Sequence, residues 1–323
     1  MGTEVKPSKA PWAVQYFHLG KHYVMYLFHH IFENSIIQAA CSGTIISSRH
    51  ILTATHCVQG AMKNIPAEHL IGTDIWQMGG RKPMDRSIVR YRTYCKNGHY
   101  IVTDPDILEP MEIQSNYSRI SISPERITLF YACSGRIPDK TRDKNPYPSS
   151  YTDDFAIIHL KEDLKLSDTV QIACVAEDIS ANAVGTMLDY YGYGSNPPKN
   201  VHSVNVTWDT YKLRHETIQV HIGNVLEDYY FSAKDPKNKM IACPGDSGGG
   251  SVATINGRIT VVGVLCRGSC HDPDTRENAK IEEYAAVGWY SDVICEDTGI
   301  CKISSRFNLF LLFVWITLGI YFK

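Results

Sequence analysis

Residues 243–266 read CPGDSGGGSVATINGRITVVGVLC, and the course of the chain after Ser247 separates two folds. Gly245-Asp246-Ser247-Gly248-Gly249 presents a serine between small neighbours, one way to expose a nucleophile. As the G-x-S-x-G elbow of an α/β hydrolase it needs a strand before, a helix after, and Asp then His downstream. Here a β-branched run follows instead, and Asn256-Gly257 joins it to a second such run that ends at Cys266. Two such runs joined by Asn-Gly read as a hairpin. The segment is therefore β, and the elbow reading falls.

The same texture extends outward. CSGTIISSRHILTATHC (41–57), FAIIHLKEDL (155–164) and MLDYYGYG (187–194) are short apolar runs bounded by turn residues. The best helical stretch, ENAKIEEYAAVGWYSDVIC, lies near residue 280. This pattern predicts an all-β sandwich or barrel. Between Cys57 and Asp153 a long polar segment, about 60–150, reads as surface loops added to the scaffold, with Cys95 and Cys133 as a plausible staple. No internal repeat is present.

The chain has 323 residues, 44% of them hydrophobic and 20% charged, which excludes wholesale disorder. A net charge of -2 gives no reason to invoke nucleic acid. Ten cysteines without paired C-x-x-C spacing read as disulfides made in an oxidising compartment. The sequons at Asn116 and Asn205 fit that compartment. An extracellular or cell-surface location follows, although no signal peptide precedes the first strand. FNLFLLFVWITLGIYFK (307–323) carries no charge before Lys323. It suits a short membrane span or the removable tail of a GPI signal with Gly299 or Ser304 near its attachment point; a buried C-terminal element is the alternative.

Acyl transfer by serine needs a base, a carboxylate to hold that base's tautomer, and donors for the oxyanion. Ser247 is the candidate nucleophile, with the amides of Gly245 and Ser247 as oxyanion donors. His56 in LTATHC and Asp154 in DDFAIIHL are the candidate base and carboxylate. Asp153 is the nearest competitor, and the spacing to Ala156 and Leu160 favours Asp154. No H-E-x-x-H or similar cluster supports metal-dependent catalysis, and no cofactor is expected.

The order His, Asp, Ser, each in its own context, resembles the trypsin/chymotrypsin family, in a divergent, nematode-type branch. The resemblance runs from about Ala10 to Ile294 through APWAV, CSGTIISSRHILTATHC, DDFAIIHL, YGYG, VVGVLCRGSC and YAAVGWYSDVI. It implies two packed six-stranded antiparallel β-barrels with a short C-terminal helix and long surface loops. It also implies a serine endopeptidase with a protein or peptide substrate and a protease inhibitor among its partners. The organisation expected is an incomplete lead over 1–9, a protease domain over 10–296, and an extension with a hydrophobic tail over 297–323. The competing function is an inactive protease-like binding or decoy module at the cell surface.

By the same resemblance Cys41–Cys57 ties down the histidine segment and Cys243–Cys270 braces the nucleophile loop. Cys295–Cys301 makes a short loop, while Cys174 and Cys266 are left unassigned. A family disulfide is missing at both ends, its positions falling on Leu188 and Ala253. The specificity pocket falls on Ile241, Gly268 and Glu282. Ile241 offers only apolar contact, and Glu282 stands where most relatives have glycine: either it attracts a basic substrate side chain or it is a solvated residue. Cys266-Arg267-Gly268 replaces the usual Ser-Trp-Gly of the cleft. Asp246 is the activation-linked residue, which in relatives pairs with a freed α-amino group. The tetrapeptide that supplies this amine would end on Met1-Gly2, so either the true N-terminus is expected upstream or the protein is not activated in the usual way.

Overall fold

The computed structural model describes residues 2–18, 40–62, 93–96, 99–103, 111–115, 118–130, 154–194, 212–225, 229–237, 242–268 and 281–301. Ile241, Cys270, Cys133, Asp153, both sequons and the apolar tail lie outside the described residues.

Two sheets carry the fold, antiparallel except where β11 runs parallel to β16. The first contains β2 (Ala13–His18), β3 (Ala40–Ser47), β4 (His50–Thr53), β5 (Thr93–Lys96), β6 (His99–Val102), β7 (Met111–Ser115), β8 (Ser118–Ile122), β9 (Pro124–Leu129) and β10 (Ala156–Leu160). Their spatial order is β5-β6-β9-β10-β4-β3-β2-β7-β8. Five of these strands come from the polar segment read as loops, so that segment is partly built into the sheet. The second sheet contains β1 (Thr3–Glu4), β11 (Cys174–Val175), β12 (Met187–Gly192), β13 (Arg214–Val225), β14 (Tyr230–Lys234), β15 (Gly250–Ile255), β16 (Arg258–Arg267) and β17 (Glu282–Ala286). The order β13-β12-β15-β16-β17-β14 closes through the β13–β14 pairing, which makes a six-stranded barrel.

Local chemistry explains the elements that matter. The AIIHL of β10 is buried along its whole length, as expected of a central strand covered on both faces. Asn256 (φ 52°) and Gly257 (φ 73°) make the turn between Ile255 and Arg258, the hairpin expected from sequence. The register Asp189↔Val252 brings Leu188 opposite Ala253 at its next step, so the two positions without a disulfide meet across β12 and β15. Two short helices complete the fold: α1 (Thr55–Met62), which carries His56, and α2 (Ser291–Thr298) near the C-terminus.

The core runs through both sheets. Phe155 stacks on Tyr290 at 4.3 Å, Phe130 packs edge-on to both, and Phe231 stacks on Tyr284 at 5.2 Å. A polar latch holds α2 against the first sheet. His159 Nε2 lies 2.8 Å from Asp297 Oδ2, and Arg126 reaches Asp297 Oδ1 at 3.0 Å and its carbonyl at 2.9 Å. Arg126 also faces His159 Nδ1 at 3.3 Å, so the neutral ring with its proton on Nε2 satisfies both neighbours. Burial lowers the His159 pKa, consistent with that neutral form. Removing the Asp297 carboxylate takes away the acceptor shared by a buried histidine and a partly buried guanidinium, leaving Thr128 Oγ1 at 3.1 Å from His159 Nε2. Asp297→Ala is expected to cost about 3 kcal/mol of unfolding free energy in denaturant titration.

Candidate active site

The site assembles where the two sheets meet. β3 and the start of α1 are joined by the Cys41–Cys57 disulfide, which places His56 at the end of β4. Asp154 immediately precedes β10, and β10 pairs with β4 in the register Ala156↔Thr53. That register brings the carboxylate to the histidine: His56 Nδ1 lies 2.6 Å from Asp154 Oδ2, and the His56 amide donates to Asp154 Oδ1 at 2.8 Å. An ionised carboxylate only accepts hydrogen bonds, so Nδ1 carries the ring proton and Nε2 is left as acceptor. Side-chain exposures of 36% for His56 and 17% for Asp154 put the base at the surface and the carboxylate behind it.

Asp154 is held at two further points, and its neighbour at a third. Its amide donates to the Tyr230 hydroxyl at 2.9 Å, and the Cys266 thiol donates to its carbonyl at 3.2 Å. Thr55 Oγ1 donates to the neighbouring Phe155 carbonyl at 3.0 Å. Cys266 thus stands beside Asp154 as a free thiol, its pKa pushed well above the usual range by burial. Cys174 is also free, and Cys295 pairs with Cys301. Cys243 is disulfide-bonded, with its expected partner Cys270 outside the described residues.

The nucleophile loop is pinned to both sheets through its backbone. The Ser42 amide donates to the Ser247 carbonyl at 2.8 Å, and the Ser42 hydroxyl donates to the Gly245 carbonyl at 2.7 Å. On the other side Gly248 N reaches Leu265 O at 2.8 Å, and Leu265 N reaches Gly249 O at 2.9 Å. Gly248 has φ 82°, and a Cβ there would lie 2.3 Å from Thr53 Oγ1 and 2.4 Å from Ser42 O, so only glycine fits. The Cys57 Sγ lies 3.7 Å from His56 Nε2 and 3.6 Å from the Ser247 carbonyl, so both segments converge on one sulfur. Cys41, His56 and Cys57 cluster, but the two sulfurs are spent in a disulfide and offer no thiolate to a metal.

Ser247 opens onto a cavity of about 260 Å³ lined by Ala242, Cys243, Pro244, Gly245, Leu265 and Gly268. Behind this wall lie two carboxylates. Asp246 Oδ1 accepts from Gly194 N at 2.8 Å and Oδ2 from Cys243 N at 2.9 Å, while burial raises its pKa to about 6. Glu282, 2% exposed, accepts from the Ala242 amide and, at 2.8 Å, from the Tyr284 hydroxyl. Burial raises its pKa to about 7, with the charge of Asp246 adding to the shift. Tyr190 completes the cluster by donating to the Asp246 carbonyl at 2.7 Å. Sequence reasoning had Glu282 attracting substrate or simply solvated; its engaged oxygens were not legible, because one partner is a backbone amide 40 residues away and the other a tyrosine two residues along the same buried strand. Arg267, at the cleft edge, pairs with Glu283 at 3.6 Å.

A closed β-barrel packed with a second antiparallel sheet, with the His–Asp pair and serine loop at their junction, is the chymotrypsin-like two-barrel fold. A solved structure of neuropsin, a serine protease expressed in the limbic system of mouse brain, shares it. That structure superposes with a TM-score of 0.52 at 18% identity, over 92% of this chain and 98% of that one. The chain belongs to the nematode trypsin-6-like family, whose model matches residues 18–301. Serine protease ea of Drosophila melanogaster is 25% identical over 215 residues, 65% of this chain; the chain spans about half (47%) of that curated relative.

The two buried acids set a pH dependence. Their folded pKa values lie above those of unfolded carboxylates, so the folded state holds more protons between about pH 4 and 7. Their contribution is present in full below pH 4 and is lost as pH rises through 6 and 7. Unfolding free energy is expected to fall by on the order of 2 kcal/mol from Glu282 alone between pH 5 and 8. Glu282→Gln is expected to flatten that slope in denaturant titrations at both pH values.

Proposed function

We propose that the protein is a serine endopeptidase acting on protein or peptide substrates outside the cell or at its surface. Ser247 Oγ attacks the scissile carbonyl while His56 Nε2 takes its proton. The amides of Gly245 and Ser247 hold the developing oxyanion, and collapse of the tetrahedral adduct expels the amine, which receives the proton from His56. Water then repeats the sequence on the acyl-enzyme and returns the free serine. Asp154 keeps the imidazole in the tautomer that accepts at Nε2. The observation that carries this reading is the two-point contact of Asp154 with His56, through ring and backbone, which leaves Nε2 as acceptor. In this reading Asp246 links activation to the oxyanion amides, because its carboxylate holds the loop that bears Gly245 and Ser247.

A fluorophosphonate probe is expected to label Ser247 in the processed protein, read by mass spectrometry of the modified peptide. Ser247→Ala and His56→Ala are each expected to lower peptide hydrolysis at least about 10³-fold. A parent protein that takes no label would instead be a binding module on a protease scaffold. Ser247→Ala protein that cleaves as fast as the parent would remove the assignment.

A further inference from the structure

Three basic residues stand at the entrance to β13, and they are engaged differently. Lys212 pairs with Glu4 at 3.2 Å and His215 with Asp189 at 2.9 Å. Arg214 reaches toward the nucleophile loop: its Nη1 donates to the Gly194 carbonyl at 3.0 Å, and the Gly194 amide donates to Asp246 Oδ1 at 2.8 Å. Gly194 is thus held between a guanidinium at its carbonyl and a carboxylate at its amide. The ladders fix this arrangement. Arg214 pairs with Glu4 of β1 on one side and with Gly192 of β12 on the other. A Cβ on Gly192 or Gly194 would collide with the Asp246 carboxylate, so the acid rests directly on the end of the strand that Arg214 faces. Burial raises the Asp246 pKa, opposed first by the amides of Cys243 and Gly194 and then by the charge of Arg214, with a smaller contribution from the chain's α-amino group. The other titratable neighbours give no positive charge. Tyr190 and Tyr284 are phenols whose pKa values burial pushes well above the usual range, and Glu282 on β17 is a second acid.

We infer that Arg214 is a positioning residue for the reaction of Ser247: from within the second sheet it supplies positive charge that keeps Asp246 an anion, and that anion holds the Gly194 and Cys243 amides that set the serine loop. The inference rests on the endopeptidase reading for its catalytic meaning, but the coupling of Arg214 to Asp246 is readable from stability alone. Arg214 acts through Gly194 and across a buried path, where charges are screened less than in water. With a neutral side chain at 214, Asp246 takes up its proton at higher pH. A protonated carboxyl keeps one full acceptor and turns its other oxygen into a donor, which faces an amide that is itself a donor. One of the two loop bonds then weakens, and the Gly245 and Ser247 amides lose their fixed place.

The test uses the full chain as parent, Arg214→Gln and Arg214→Lys, each also with Asp246→Asn, in denaturant titrations between pH 5 and 8. At the acid end Asp246 is largely protonated in every protein, so the stability deficit of Arg214→Gln is expected to be small there. The deficit is expected to widen as pH rises and the acid ionises, and Arg214→Lys is expected to restore most of it. In the Asp246→Asn background it is expected to be the same at both ends. The acid end neutralises Asp246 without a substitution, so the comparison stands even where Asp246→Asn fails to fold. A deficit independent of pH, or one that still widens with Asp246→Asn, would make Arg214 a structural residue only and overturn the inference. The rate of fluorophosphonate labelling at Ser247 is followed over the same range. Its half-maximal pH is expected to rise by about one pH unit in Arg214→Gln and to return toward the parent in Arg214→Lys. A labelling rate lowered equally at every pH would overturn the positioning role. A labelled parent without the widening deficit defeats the Arg214 inference alone, whereas an unlabelled parent with it defeats the hydrolytic reading alone.

Discussion

The carboxylate of Asp246 is buried at the joint between Gly194 and the nucleophile loop, and the geometry of that loop follows from how its charge is met. An ionised carboxylate in such a place costs several kcal/mol unless donors surround it. Here two backbone amides, Gly194 and Cys243, supply one bond to each oxygen, and Tyr190 fixes the residue's own carbonyl. Burial still outweighs those donors, which is why the acid is held well above the ordinary carboxylate range. The loop that carries Ser247 is thus tied to the second sheet by a group poised between charge states. Ser42 then ties the same loop to the first sheet through the carbonyls of Gly245 and Ser247.

Glu282 repeats the device one strand away. It too is a buried acid that accepts from a loop amide, and it shares its surroundings with Asp246, Tyr190 and Tyr284. The adjacent amides of Ala242 and Cys243 are therefore gripped by adjacent acids. Two like charges in one apolar pocket repel, so ionisation of either raises the cost of ionising the other. Asp154 belongs to the other sheet, just before β10, where its carboxylate is 17% exposed and meets the ring and the amide of His56.

What the sequence revealed was whatever is local. The hairpin at Asn256-Gly257, the strand after Ser247, and the His56 and Asp154 segments each announce themselves within a few residues, because turn chemistry and β-branched runs are short-range signals. The Cys41–Cys57 pairing follows from the resemblance, whereas Cys295–Cys301 reads from the sequence as a short loop. The five strands between residues 93 and 129 were hidden within a long polar segment, whose composition reads as loop. Glu282 was hidden for a different reason. Its environment is assembled from β17, the Ala242 amide and an aromatic stack involving β14, partners far apart in the chain. Cys266 was legible as a replacement for serine, but its bond to the Asp154 carbonyl required the structure.

That thiol bears on how the two halves are coupled. Cys266 ends a strand that also receives the Gly248 amide at Leu265 and leads through Arg267 to the pocket wall at Gly268. One short segment at the end of β16 therefore touches the backbone of Asp154, the loop that carries Ser247 and, through Leu265, the cavity beside that serine. A shift of this segment cannot alter one of these without the others, because each contact is made by a consecutive residue. Where relatives place an aromatic side chain, this chain places a cation, so the edge of its cleft is held by an ion pair that salt weakens.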